Sequence, residues 1–259
     1  MTVQPDVPER VRVLDVDGVD YQRAFELFLA GSDEKTLTHA YLTHLVEQLD
    51  PRDAFVDVGA GSGTTTGYLA SYFAHTLAVE PAAPMRAVLQ AALPDVRVSA
   101  ARVLDVHPDR SIDLVLCSHM LYYVRPAEWA ATVMHMAGWL RSGGEAVIVL
   151  QNPDSACMRM ARHFTGARLD LADLAADLAN DAAADVRCTL TTLPVTYRTT
   201  DLAEALVVAE FMVNVPTLAD LDRPPTTREL ERYVREHFSD HHGGYAIGHD
   251  HDILRVRRL

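Results

Sequence analysis

The chain has 259 residues, 49% of them hydrophobic, which is enough to bury a sizeable core and too much for a stably disordered chain. Its 36 Asp+Glu outnumber 23 Lys+Arg, giving a formal net charge of −13; this argues against a nucleic-acid partner, whose binding is driven by Lys/Arg neutralisation of phosphates, and suits small cationic ligands. No apolar run approaches the roughly 18 residues of a membrane span, the N-terminus is acidic rather than basic and then apolar, and Cys117, Cys157 and Cys188 are too scattered for a disulfide framework or a zinc knuckle. The expectation is a cytoplasmic protein with neither a nucleic-acid nor a membrane partner.

Residues 21–50 carry apolar side chains at steps of three and four (Phe25, Phe28, Leu29, then Tyr41, Leu42, Leu45, Leu49), which predicts helices, with Ser32 as a cap for the second and Pro51 as the stop. The chain then alternates. Apolar runs at Ala54 to Val58, Thr76 to Val79, Val96 to Ala100, Ile112 to Cys117 and Ala146 to Leu150 predict strands. Helical stretches lie between them, to about Phe73, from Pro84 to Ala92, and from Pro126 to Leu140. The turn Arg141-Ser142-Gly143-Gly144 is expected to launch the last of these strands. Short Val/Ile/Leu runs separated by helices predict right-handed crossovers and a parallel sheet covered on both faces. Beyond Gln151 the rhythm changes. Leu171, Leu174 and Leu178 mark an amphipathic helix, Arg187 to Arg198 a Pro-interrupted strand, and Asp201 to Val213 a helix. A Pro-rich link around Pro216, Pro224 and Pro225 follows, then a helix from Thr226 to Phe238 and a terminal strand at Ile253 to Val256.

The most specific signal is Phe55-Val56-Asp57-Val58-Gly59-Ala60-Gly61-Ser62-Gly63, a strand running into a glycine turn and then a helix. Glycine lacks Cβ and tolerates positive φ, so such a turn lets a ligand approach the backbone. A dinucleotide fingerprint counted from Gly59 needs glycine at position 64, where Thr64 stands. Asp57 repels a pyrophosphate and attracts a cation, which fits the sulfonium and ammonium of S-adenosylmethionine. Glu80 ends the second strand 17 positions after Gly63, where doubly wound folds place an acid for the ribose hydroxyls.

Asp57-x-Gly59-x-Gly61-x-Gly63 followed by Val79-Glu80-Pro81 resembles the cofactor motifs of class I S-adenosylmethionine-dependent methyltransferases, and the strand–helix order from about 50 to 151 is similar throughout. The resemblance implies a Rossmann-like α/β fold, with a seven-stranded, mostly parallel sheet, helices on both faces and an antiparallel last strand. It also implies S-adenosyl-L-methionine as cofactor, bound by Asp57, Gly59, Gly61, Ser62, Gly63, Glu80 and Pro81, with Ala101 and Arg102 flanking adenine and Ser118 and His119 beside the reacting methyl. Tyr21-x-x-x-Phe25-x-x-Phe28-Leu29-x-x-Ser32-x-Glu34 and Met120-Leu121-Tyr122-Tyr123-Val124 are similar to segments of histamine N-methyltransferase. That narrower resemblance implies an amine pocket lined by Tyr21, Phe25, Glu34, Tyr122 and Tyr123, with Asp250 at the same end of the last strand. His119 stands where the histamine enzyme has an amide. The implied organisation is one domain, with a helical lid at 1–50, a cofactor core at 51–151, and substrate-facing insertions with closing strands at 152–259.

An acid among aromatics also makes chemical sense unaided, holding an amine through charge, cation–π contact and hydrogen bonding. Ordinary core packing of Tyr21 and Phe25, four apart on one helical face, stays open beside it. His119, directly after a strand, points into the crevice where α/β sheets bind ligands, either to accept a proton or to donate and accept neutral hydrogen bonds. His241-His242-Gly243-Gly244 and Gly248-His249-Asp250-His251-Asp252 admit three readings, a polar loop, a divalent-metal site or a substrate contact; no metal is assigned. The expected activity is methyl transfer to a small molecule at an amine nitrogen, with His119 and Glu34 as the residues acting on the acceptor. O- or C-methylation, a cyclase using the same cofactor, and a non-catalytic nucleotide sensor remain alternatives, and assembly state is left open.

Overall fold

A computed structural model describes residues 9–16, 18–180, 185–214, 218, 221–241 and 243–259. Among the described residues nine strands run in chain order: β1 Ala54–Val58, β2 His75–Val79, β3 Arg97–Ser99, β4 Ile112–Ser118, β5 Leu140–Gln151, β6 Val186–Leu193, β7 Thr196–Thr199, β8 Tyr245–Gly248 and β9 His251–Arg258. The helices are α1 Val19–Gly31, α2 Glu34–Glu47, α3 Thr64–Ala70, α4 Ala83–Ala92, α5 Trp129–Ala137, α6 Ala156–Thr165, α7 Leu171–Asn180, α8 Leu202–Asn214 and α9 Thr227–His237. The chain forms two compact units. The first comprises Met1–Lys35, Pro153–Arg168 and Pro194–Asp250; the second comprises Thr36–Asn152, Leu169–Leu193 and His251–Leu259.

The second unit holds a seven-stranded sheet in the order β3-β2-β1-β4-β5-β9-β6. Strands β3, β2, β1, β4 and β5 are parallel, and β9 runs antiparallel between β5 and β6. The central strands are buried on both sides because their apolar residues alternate between two cores. Val56, Val58, Val115, Cys117, Ile148 and Leu254 share one core with Trp129, Val133 and Met136 of α5 and with Leu171, Leu174 and Leu178 of α7. Phe55, Leu114, Leu116, Val147, Val149 and Ile253 share the other with Leu42, Leu45 and Val46 of α2 and Leu69 of α3. The period of two along each strand thus puts helices on both faces, as a parallel sheet requires. Val58 pairs with Val79 on one side and Cys117 on the other, so the carboxyl ends of β1, β2 and β4 finish level. Gly59, Glu80 and His119 follow at that edge, where ligands enter such sheets.

The first unit is built on aromatic and aliphatic residues of α1, α6, α8 and α9, among them Phe28, Met160, Val208, Ala209 and Val234, and on the antiparallel pair β7–β8. Thr226 and Glu229 close a reciprocal capping box on α9.

Several boundaries differ from expectation. β5 begins at Leu140, so Arg141 to Gly144 lie inside the strand as an irregularity; its register with β4 shifts between Ile112 and Leu114, and Gly143 takes φ +79°. The Pro-interrupted strand is two strands in different sheets, β6 pairing with β9 and β7 with β8, because Pro194 cannot donate to a ladder. The terminal strand is longer, His251–Arg258, and pairs along its whole length with β6. α6 and β8 were not anticipated. Pro216 and His242 lie outside the described residues.

Candidate active site

The turn after β1 is shaped by three glycines at positive φ: Gly59 at +75°, Gly61 at +57° and Gly63 at +85°. A Cβ on Gly59 would lie 2.8 Å from Met120 Cγ, and one on Gly63 would lie 2.9 Å from Leu89 Cγ; one on Gly61 would meet nothing within 4 Å. Two glycines are therefore fixed by packing as well as by backbone, while the third faces open space, as a turn that admits a ligand needs. Gly59 and Ala60 N–H both donate to Val79 O, at 2.9 and 3.1 Å, tying the turn to the end of β2. Ser62 Oγ sits 3.3 Å from Thr64 Oγ1 at the start of α3.

Glu80 follows β2 and is buried. Its Oε2 accepts from Gly61 N–H and its Oε1 from Ala82 N–H, both at 2.8 Å. Arg86 donates to the carbonyls of Glu80 and Pro81, each at 2.9 Å, which fixes the backbone behind the carboxylate. Each carboxylate oxygen has lone-pair capacity for a second donor, so the group can still receive a pair of hydroxyls. Asp57 on β1 is 3% exposed and accepts from the Thr66 hydroxyl at 2.6 Å. Its charge adds to burial in raising the Cys117 thiol above the usual range. Thr66 was not anticipated as part of this site; the run Thr64-Thr65-Thr66 at a helix start nine residues after an acid was the signal.

Beyond β3, Ala101 N–H donates to Ser99 Oγ at 3.2 Å, and Arg102, exposed, opens the short 3-10 turn Val103–Asp105. Ser118 ends β4. His119, immediately after it, is the sole non-glycine with positive φ among the described residues, at 55°; histidine is one of the side chains tolerated there. Its N–H donates to Val149 O at 2.9 Å. The ring stacks on Tyr122 at 6.0 Å and meets the buried His251 edge to face at 4.6 Å. Tyr122 OH is tied to Gln151, donating to Oε1 and accepting from its N–H at 2.9 Å. The structure therefore brings His119, Tyr122, Gln151 and His251 together, and Gln151 and His251 had no assigned role. Register explains them, since Gln151 and His251 are cross-strand partners at the end of the β5–β9 ladder. Tyr123 is 65% exposed.

In the first unit Tyr21, Phe25 and Phe28 line one side of α1 and converge on Phe211 of α8 at centroid distances of 5.2, 5.9 and 5.6 Å. His249 stands edge to face against Phe28 at 4.8 Å and its Nε2 lies 2.9 Å from Ser32 Oγ. That hydroxyl also accepts from Glu34 N–H at 3.0 Å, so Ser32, one position before the N-cap expected of it, holds the first residue of α2 by an i to i+2 bond. Glu34 is 4% exposed, pairs with Lys35 Nζ at 3.2 Å, and places a carboxylate oxygen within 4.8 Å of a His249 ring nitrogen. Burial holds His249 below the ordinary imidazole range against the opposing pull of Glu34, Asp33 and Asp250. Asp250 itself accepts from Val195 N–H at 3.2 Å. Tyr21, Phe25, Glu34 and Asp250 thus belong to the first unit, and all the expected cofactor residues with His119, Tyr122 and Tyr123 belong to the second.

Residues 56–148 match the family model of a methyltransferase domain. None of the curated proteins compared with the chain matches it. Among solved structures the chain is similar to the YcgJ protein of Bacillus subtilis, with 15% identity, 85% of this chain and 98% of that one covered, and a TM-score of 0.58. It is also similar to a protein of Bacillus halodurans C-125 assigned as a methyltransferase, with 13% identity, 85% and 97% covered, and a TM-score of 0.59. A DhpI complex with SAM and HEP matches with 18% identity, 66% and 88% covered, and a TM-score of 0.50. At such identities the likeness is one of fold. The glycine turn, Asp57, Glu80 and His119 all fall inside the matched stretch, residues 56–148, which lies on a Rossmann-like sheet and is similar to a methyltransferase domain, a match that supports S-adenosylmethionine as cofactor.

Proposed function

We propose that the chain is an S-adenosylmethionine-dependent N-methyltransferase acting on a small amine. The observation that carries the acceptor side is Glu34, a carboxylate 4% exposed and within 4.8 Å of a His249 ring nitrogen, the His249 ring in turn standing against Phe28 of the cluster formed with Phe25, Tyr21 and Phe211. A buried acid near aromatic faces suits an amine cation, through charge and cation–π attraction, better than a phenol or an anionic acceptor. The amine type also agrees with the segments resembling histamine N-methyltransferase.

On the cofactor side the residues present fit the group. Gly61 leaves the turn open, Glu80 retains acceptor capacity for the two ribose hydroxyls, and Asp57 supplies negative charge for the amino acid end. Ser62 and Pro81 shape the same loops, and Ala101, Arg102 and Ser118 border the base and the methyl-bearing end. When bound, S-adenosylmethionine supplies an electrophilic methyl on a positively charged sulfur. The chain's part is to orient and to manage a proton. In the first unit Glu34, Tyr21, Phe25 and Asp250 are the residues assigned to the amine; in the second, Tyr122 and Tyr123 are assigned to the acceptor, and His119, whose N–H is tied to Val149 O and whose ring stacks on Tyr122, to the proton that the nitrogen sheds.

A methyl-transfer screen over biogenic amines, amino acids, peptides and phenols, with the methylated atom located by tandem mass spectrometry, tests this reading. N-methylated amines are the expected products. Methylation confined to phenolic oxygen or to carbon overturns the amine assignment and leaves the cofactor assignment standing.

A further inference from the structure

A cavity of about 390 Å³ in the first unit has no part in the reading above. Arg10, Arg223 and Arg232 line it together with Phe164 and Glu229. Three guanidinium groups against a single carboxylate stand out in a chain whose net charge is −13 and whose only lysine is Lys35. Glu229 is engaged elsewhere, because its Oε2 accepts from the Thr226 N–H at 2.7 Å and from the Thr226 hydroxyl at 2.9 Å. Those bonds keep it ionised, and Arg232 and Arg223 add a smaller attraction. Arg10 is held in place by donating to Pro224 O at 2.6 Å, which uses one N–H of five and leaves the remaining donors of a planar fork. Arg223 and Arg232 are exposed and come from the loop before α9 and from α9 itself, so the cations reach the cavity from separate segments. Phe164, from α6, adds an apolar ring to the wall.

We propose that this cavity is a binding site for a phosphate-type dianion, received by Arg10, Arg223 and Arg232. Planar guanidinium forks match phosphate oxygens in bidentate pairs, and a dianion balances an excess of two positive charges in the lining. The ring of Phe164 offers an apolar neighbour to whatever carries the phosphate. Such a ligand is unlike the cationic acceptor of the proposed reaction, and the site is independent of the cofactor residues.

The test is calorimetric titration of the full chain with inorganic phosphate and, separately, with phenyl phosphate, at constant ionic strength set with chloride. Wild-type protein is expected to bind both at one saturable site. The double variant Arg223→Gln, Arg232→Gln is expected to bind each at least about tenfold more weakly, since two charge-assisted contacts are lost. Both positions are exposed, so the fold is retained, which unchanged S-adenosylmethionine affinity confirms. Tighter binding of phenyl phosphate identifies an organic phosphate as ligand, and equal binding identifies the free ion. No saturable binding up to about 20 mM, or wild-type affinity in the double variant, overturns the proposal.

Discussion

Replacing Glu80 by Gln keeps the side chain's shape and removes the charge and one of two acceptor oxygens. In the native structure those oxygens accept from Gly61 and Ala82 N–H at 2.8 Å each, so the amide nitrogen of the variant faces one of these donors and that bond is lost. The ribose contact suffers in the same way. Loss of a hydrogen bond to a charged group costs about 1.5–3 kcal/mol, which is about 10- to 150-fold in affinity. Calorimetric titration with adenosine and with 2′,3′-dideoxyadenosine separates the two effects. Distortion of the turn at Gly61 weakens both ligands alike, whereas loss of the ribose acceptor weakens adenosine far more than the dideoxy compound. The expected outcome is the second pattern in a variant whose circular dichroism is unchanged. Equal penalties for the two ligands, or none for adenosine, refute the placement of Glu80 at the ribose.

Gly59→Ala is expected to lower thermal stability more than Gly61→Ala, because both take on the strain of positive φ, about 1–2 kcal/mol, but only the former drives a Cβ into Met120; equal melting temperatures contradict this. Glu34→Gln is expected to raise the acceptor KM about tenfold or more with S-adenosylmethionine affinity intact, read by steady-state kinetics and direct titration; an unchanged KM removes Glu34 from acceptor binding. Burial holds the folded-state pKa of His249 below its unfolded value of 6.5, so the unfolded chain binds the proton more readily and stability falls as pH drops through 6.5 toward the folded value. Denaturant unfolding between pH 7.5 and 5.5 is therefore expected to show a smaller loss in His249→Gln than in the wild type, and an equal loss contradicts the assignment.

Local signals made the parallel half of the fold legible. β1 runs Ala54–Val58 as its five-residue apolar run indicates, and the glycine turn and Glu80 sit where strand ends place them. Legibility failed where pairing is non-local. Pro194 reads as an interruption within one strand, yet only the partners show that the chain changes sheets there, β6 going to β9 and β7 to β8. The four-residue β8 offers too little pattern to register before β7 is known. α6 is a different case, because its signals were present. Ser155 accepts from Met158 N–H as its N-cap, and Gly166 ends it at φ +74°. At the site, the acids and glycines were readable because their chemistry is local to a motif. Gln151, Phe211 and His251 acquire their neighbours only through packing and register.

The account rests most directly on binding of S-adenosylmethionine at the turn after β1, and titrating that compound into wild type and Asp57→Ala measures it. The account predicts one site per chain in the wild type and affinity about tenfold or more weaker in the variant, the cost of a lost charge-assisted contact. Absence of binding to the wild type, or equal affinity in a folded Asp57→Ala protein, contradicts it.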